Sequence, residues 1–395
     1  MLKDQLHATA TQVSTFRLLT AAPVYVSFVF GLTRDLWNPL GMRDRGYFLL
    51  FGPATAAVFV WMAYSKLSLA GLYVGMLLAM LLFRFVTAAY QGLLALIGQE
   101  QLMSGRLAVL WNAVQSAPYV AGSFASGYIA EHFAPRQTFL VVAALTLLMG
   151  VLAVWKPRAV FSHAYDQPQA KGADLMGDIK RLVKHRAIYP PILMILLFQF
   201  SPGSSTPLQY YLTDRLHLSD SMYGYFQGVF LASFIPTILV YGFLCKKVSL
   251  EKLLWWGTAM AVPQMVPLVF IHSATSALIM AMPMGLMGGI VFCAMYDLAM
   301  RSCPPGLQGT LMMLIDGIFV VSFRAGDLLG SRIYSSSPEH GFLYCVIAVT
   351  IVYASILPVI LLVPKHVMAT ADGQRNPAAE AEMLAEIGDD RAALA

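Results

Sequence analysis

The chain has 395 residues, 58% of them hydrophobic and 12% charged, with a formal net charge of +5. Soluble domains carry about a quarter charged residues, so this composition excludes a water-soluble globular protein and points to a polytopic membrane protein. Cys245, Cys293, Cys303 and Cys345 stand without CxxC or Cys/His spacing, so neither a disulfide framework nor a zinc site is expected, and no cofactor or metal is called for.

From the N-terminus, the opening segment is polar and does not read as a secretory leader. A helix needs roughly 20 apolar residues to cross a bilayer. Eleven stretches meet that need: 17–33, 47–65, 68–98, 103–129, 135–155, 188–212, 221–245, 250–271, 275–300, 307–331 and 341–363. They lack the period-two alternation of a membrane barrel, so the expected class is an all-α membrane protein. Between the fifth and sixth stretches lies a basic segment. Its ADLMGDIKRLVKHR places Leu175, Ile179 and Leu182 at helical spacing opposite basic residues, the pattern of an amphipathic helix on a membrane surface. The expected organisation is a five-span bundle over 1–155, a cytoplasmic linker over 156–187, a six-span bundle over 188–363 and a cytoplasmic tail over 364–395. That tail, acidic and Ala-rich, reads as flexible with a short helix.

Cytoplasmic loops collect Lys and Arg. With the linker placed inside, the inside loops carry 18 of these residues and the outside loops six. That split puts the C-terminus in the cytoplasm and Met1 outside.

A repeat crosses the midpoint. LKDQLH (Leu2–His7) echoes LTDRLH (Leu212–His217) at an offset of 210, and Phe16 then falls on Phe226. Each copy runs into an apolar span holding a proline, Pro23 or Pro236, and ends at a basic loop. The second copy is preceded by the span 188–212 and the first by none. The expected plan is therefore twelve spans with the first one missing. Internal repeats of this kind place transporter sites between their halves.

Two halves around a basic central loop resemble the plan of the major facilitator superfamily. GLTRDLWNPLGMRDRGYF (Gly31–Phe48) resembles its signature loop, with Gly31, Asp35, Arg43 and Arg45 in the matching roles. The resemblance implies a two-bundle fold working by alternating access, and a charge latch at this helix end that favours one access state. SPGSSTPLQYYLTDRLHLS (Ser201–Ser219), KKVSLEKLLWWGT (Lys246–Thr258) and RSCPPGLQGTLMML (Arg301–Leu314) look like the folate–biopterin transporter family. That resemblance implies a folate- or pterin-like solute. The chain departs from the family pattern at Tyr90 and Leu94, where an acidic pair is common.

Ionisable groups inside a membrane are costly and mark function by default. Arg84 lies mid-span and fits an anionic solute through a bidentate pair; the structural alternative is a pair with an acid on another helix. Asp316 and Asp327 lie about 20° apart on the helical wheel and three turns apart in height. Asp316 reads as the proton-coupling residue, or equally as a structural one. Arg324 and Asp327 read as a local salt bridge. Asp297 and Arg301, four apart, read as a latch. The structural gate is thus expected from Asp35, Arg43, Arg45, Asp297, Arg301, Arg324 and Asp327. Expected solute contacts are Arg84, Gln91, Asn112, Gln115 and Gln227, with Ser204, Ser205, Gln209 and Tyr210 from a stretch that Pro202, Gly203 and Pro207 break.

Nothing in the sequence supplies a phosphate-binding loop or a nucleophile constellation, so no enzyme activity is expected. The expected function is a monomeric secondary transporter of the bacterial inner membrane. Its partners are a small organic solute, the lipid bilayer and a proton, and no nucleic acid. The alternative is a membrane scaffold or assembly factor that keeps the fold without moving solute, which the departure at Tyr90 and Leu94 and the missing first span would suit.

Overall fold

The computed structural model describes Phe16 and residues 19–66, 68–155, 175–337 and 339–374. The echo at Leu2–His7, most of the linker and the tail beyond Gln374 lie outside the described residues. Among the described residues the chain is helical throughout. The long elements are α1 (Ser27–Leu36), α2 (Asp44–Tyr64), α3 (Leu69–Glu100), α4 (Ser104–His132), α5 (Pro135–Trp155), α6 (Leu175–Lys184), α7 (Tyr189–Gln199), α8 (Asp220–Leu244), α9 (Leu250–Ala261), α10 (Ala274–Arg301), α11 (Gln308–Ser336) and α12 (Gly341–Ala354).

Seven helical stretches among the described residues are long and apolar enough to cross a membrane. The other expected spans differ for visible reasons. The first is interrupted at Val26, after the short turn Ala22–Tyr25 that Pro23 opens; proline removes a backbone donor from a helix interior. The span 188–212 ends as α7 at Gln199 and restarts at Thr206. α4 and α11 are continuous over 29 residues each but carry more polar side chains.

The described chain divides into two compact units that do not follow sequence order. One gathers residues up to Ala95, Phe124–His185 and Pro304–Val320; the other gathers Leu96–Ser123, Arg186–Cys303 and Val321 onward. α4 and α11 therefore each contribute to both. In the first unit α2 packs along α5, and a ring cluster joins α1, α2 and α3. Phe51 stacks on Phe85 with centroids 4.4 Å apart, and Phe30 meets Phe85 edge-on at 4.9 Å. In the second unit Phe198 of α7 stacks on Phe292 of α10 and on Tyr353 of α12. Large apolar side chains such as Trp155, Phe243 and Trp256 are left exposed, the surface a bilayer covers in a protein of this composition.

The segment after Pro364 corrects the expectation of a flexible tail as far as Gln374. Lys365–Met368 form a helical turn, Val367, Met368 and Ala371 are buried, and so is Asp372.

Candidate functional site

Three polar assemblies interrupt the apolar packing. The first stands where α1 ends and α11 begins. The return from α1 to α2 passes through left-handed backbone at Leu40 (φ 58°), Gly41 (φ 66°) and Arg43 (φ 49°). That reversal carries Asp44, the first residue of α2, back to Arg34. Arg34 grips both Asp44 oxygens, with its Nε and Nη2 each at 2.6 Å, and donates Nη1 to Asp35 at 2.8 Å. Asp35 accepts the Thr310 amide at 2.7 Å, the Thr310 hydroxyl at 2.7 Å and the Gly309 amide at 3.2 Å. A helix N-terminus has unpaired amides and positive partial charge, so a carboxylate there is held by hydrogen bonds and field together. Asp35 lies beyond the apolar stretch of its span. Burial raises its carboxyl above the ordinary range, against the opposing pull of Arg34 and Thr310. Gly31 lets the two helices meet this closely: a Cβ there would overlap the Gly309 carbonyl oxygen.

Of the expected gate residues, Asp35 is thus the acceptor at the centre. Arg45 lies to one side, donating Nε to the Ala153 carbonyl at 2.8 Å. The Arg43 backbone amide is held by Asn38 Oδ1. Arg34 and Asp44, which the sequence reading passed over, supply the pairing. An arginine immediately before Asp35 was the signal available for the first; the second needs the loop reversal.

The second assembly stands at the C-terminal ends of α8 and α10 and the start of α4. Arg301 donates Nε to Asp297 Oδ1 at 2.8 Å and Nη1 to the Thr370 carbonyl at 2.9 Å. Tyr241 of α8 donates its hydroxyl to Asp297 Oδ2 at 2.9 Å. The i,i+4 pair is therefore formed as its spacing predicts, with Tyr241 as an added donor. Asp372 accepts from the Gly105 amide at 3.1 Å and Arg106 Nε at 2.8 Å.

The third assembly lies within the spans. Arg84 of α3 donates Nη1 to Asp316 Oδ2 of α11 at 2.5 Å, with side chains 16% and 21% exposed. Gln91 and Ser27 face the same carboxylate. Gln91 lies seven residues after Arg84, on the same face of α3 two turns on. Arg84 Nε and Gln91 Oε1 are both buried without a hydrogen-bond partner. Buried polar atoms normally find one, so this face holds a free donor and a free acceptor beside an ion pair.

The remaining expected solute contacts are dispersed. Asn112 is buried in α4, bonding back to the Ala108 carbonyl, with Cys293 Sγ at 3.6 Å. Gln115, Gln209 and Tyr210 are exposed. Ser204 bonds to the Ser201 carbonyl. Ser205 faces Tyr223, whose hydroxyl accepts from Gln227 Nε2 at 3.0 Å. The break at 200–205 depends on Gly203, whose φ of +99° suits no other residue. The Arg324–Asp327 salt bridge is corrected. Asp327 accepts the Thr206 amide and hydroxyl, each at 2.8 Å, and so caps the helical turn that restarts there. Arg324 is exposed, 6.0 Å from the Phe323 ring. An unpaired helix start competes better for a carboxylate than an exposed arginine does.

A family model described as Major Facilitator Superfamily matches residues 1–325. The folate-biopterin transporter of Synechocystis sp. (strain ATCC 27184 / PCC 6803 / Kazusa) is 24% identical over 349 residues, covering 83% of this chain and 69% of that protein. Folate transporter 2 of Plasmodium falciparum (isolate 3D7) is 19% identical over 330 residues, covering 80% and 71%. Among solved structures, the human organic anion transporter MFSD10 (TETRAN) superposes with a TM-score of 0.66 at 16% identity, covering 87% of this chain and 83% of that one. A bacterial homologue of the iron transporter ferroportin, in an outward-facing state, gives 0.62 at 14% identity, covering 89% and 90%. These likenesses at low identity establish the fold.

Proposed function

The chain belongs to the major facilitator superfamily, and from that membership we propose that it carries a folate- or pterin-like anion together with a proton. It is an integral membrane protein and a secondary transporter of a small organic solute. The observation that carries the finer reading is the Arg84–Asp316 pair with its unpaired Arg84 Nε and Gln91 Oε1. A folate-like solute offers a carboxylate for the guanidinium and ring N–H donors for the amide oxygen. A carboxylate arriving at Arg84 competes with Asp316 for the same guanidinium. The displaced Asp316, no longer neutralised inside the protein, takes a proton, so one proton accompanies the carboxylate that binds Arg84. Gln91 and Ser27 lie beside the Asp316 carboxyl during the exchange. The relatives named as folate transporters support the solute class.

The Lys/Arg asymmetry of 18 inside to six outside supports a bacterial inner-membrane protein with a cytoplasmic C-terminus. In this reading the bundles 1–155 and 188–363 alternate in one monomeric chain, with Asp35, Arg34 and Asp44 in the inner gate. The scaffold alternative rests on Tyr90 and Leu94, and family membership favours transport over it.

Uptake of radiolabelled folic acid into proteoliposomes tests the proposal. The unmodified protein accumulates folate when the outside is acidified. Arg84→Ala loses at least about tenfold in uptake, the worth of a hydrogen-bonded charge pair. Asp316→Asn keeps folate exchange across the membrane but no longer responds to the proton gradient. Arg84→Ala with undiminished uptake, or an unmodified protein that neither binds nor moves folate, would overturn it.

A further inference from the structure

We infer that Asp372 is a positioning residue of the transport cycle: it closes a second helix-end latch, at α4, in the place that Asp35 fills at α11. The two assemblies correspond part by part. At α11, the pair Gly309–Thr310 meets a buried carboxylate, with the amides and the Thr310 hydroxyl donating to Asp35. At α4, the pair Gly105–Arg106 meets a buried carboxylate, with the Gly105 amide and the Arg106 guanidinium donating to Asp372. A Cβ on Gly309 would press on Asp35 Oδ1, and a Cβ on Gly105 would press on Cys245 Cβ and Asp297 Oδ2.

Two residues lie beneath Gly105: Asp297 of α10, whose carboxylate is already taken by Tyr241 and Arg301, and Cys245, at the end of α8. The offset of 210 that relates the two repeat copies carries Asp35 onto Cys245. At this end the second copy has a thiol where the first has an acid, and a thiol is a poor acceptor for a helix-start amide. The C-terminal segment supplies the missing group. Its backbone is stitched to the same place, with the Asp372 amide donating to the Cys245 carbonyl at 2.8 Å and Arg301 holding the Thr370 carbonyl. The Asp372 side chain is wholly buried. A segment that merely passed nearby would not place a buried carboxylate on this amide, where the repeat position holds Cys245. The inference rests on transport by this family and not on which solute is carried.

The test compares hydrogen–deuterium exchange and uptake in the full-length protein. Asp372→Ala releases the Gly105 amide, and the peptide containing it exchanges at least about tenfold faster, as loss of a hydrogen bond to a charged group requires. Asp372→Asn, which keeps an acceptor, falls between the two. The deciding variant adds Cys245→Asp to Asp372→Ala. The restored acid re-protects the Gly105 peptide and recovers uptake, while the 365–374 peptide stays fast. If Asp372→Ala leaves the Gly105 peptide protected, or if Cys245→Asp restores neither readout, the latch assignment fails. The exchange readout stands whether or not folate is the solute, so failure here is separable from failure of the proposed function.

Discussion

The latch at α11 and the latch at α4 meet the same physical need with opposite economies of sequence. Each neutralises the start of a long helix with a buried carboxylate beside an arginine. At α11 the acid, its arginine and the second acid fall within eleven residues, Arg34 to Asp44. At α4 the parts come from three distant stretches: Gly105 and Arg106, the Cys245 carbonyl, and Asp372. Both helix starts meet a buried carboxylate, and the two carboxylates come from different parts of the chain. That difference separates their weaknesses. The α11 latch depends on one local loop, and the α4 latch on a C-terminal segment staying docked.

Asp35→Ala tests the local latch most severely. It leaves two amides, a hydroxyl and part of Arg34 without their acceptor in a buried site. Breaking a buried, hydrogen-bonded charge costs about 3–5 kcal/mol, so this variant should show the largest fall in melting temperature in detergent. A melting temperature near that of the unmodified protein would mean that Arg34 and Asp44 hold the loop without Asp35.

Added methyl groups sharpen the comparison. Gly31→Ala puts a Cβ into the Gly309 carbonyl oxygen, a backbone atom that moves only if a helix moves. Gly105→Ala meets side-chain atoms of Asp297 and Cys245, both near 2.9 Å. Overpacking costs about 1–3 kcal/mol. Gly31→Ala should fall at the upper end of that range and Gly105→Ala at the lower, read as melting temperatures of the two variants side by side. The reverse order would show that the α4 latch is the more tightly packed.

Much of the fold was legible because apolar length is a strong signal. The basic linker helix was legible too, since α6 falls within the ADLMGDIKRLVKHR stretch. The charged residues inside spans, Arg84 and Asp316, stood out by their cost in lipid, yet their pairing across 232 positions was open until α3 and α11 were seen together. Asp35 was legible from its signature loop. Asp44 was not, because the left-handed turn through Leu40, Gly41 and Arg43 is a property of backbone and not of residue type. Asp327 was assigned to Arg324 by helical spacing, and spacing carries no record of the helix start at Thr206 that takes it. Asp372 was hidden by composition, since an acidic, Ala-rich end looks like a solvated tail until the burial of Asp372 is seen.

The smallest expected effect isolates one bond of the better-read latch. Thr310 gives Asp35 Oδ2 two hydrogen bonds, one from its amide and one from its hydroxyl, both at 2.7 Å. Thr310→Val removes the hydroxyl bond, keeps the β-branched shape and leaves the amide in place. No buried donor is orphaned and no cavity opens, so the loss is the net worth of one bond to a charged acceptor, about 1.5–3 kcal/mol. Asp35 keeps both backbone amides and Arg34, and the melting temperature should drop by less than the Asp35→Ala shift. If the two variants instead lose equal stability, the hydroxyl is the joint between α1 and α11 and the helix-start amides contribute little. The carboxylate would then act as a side-chain partner and not as a cap, and the correspondence between the α11 and α4 latches would no longer hold.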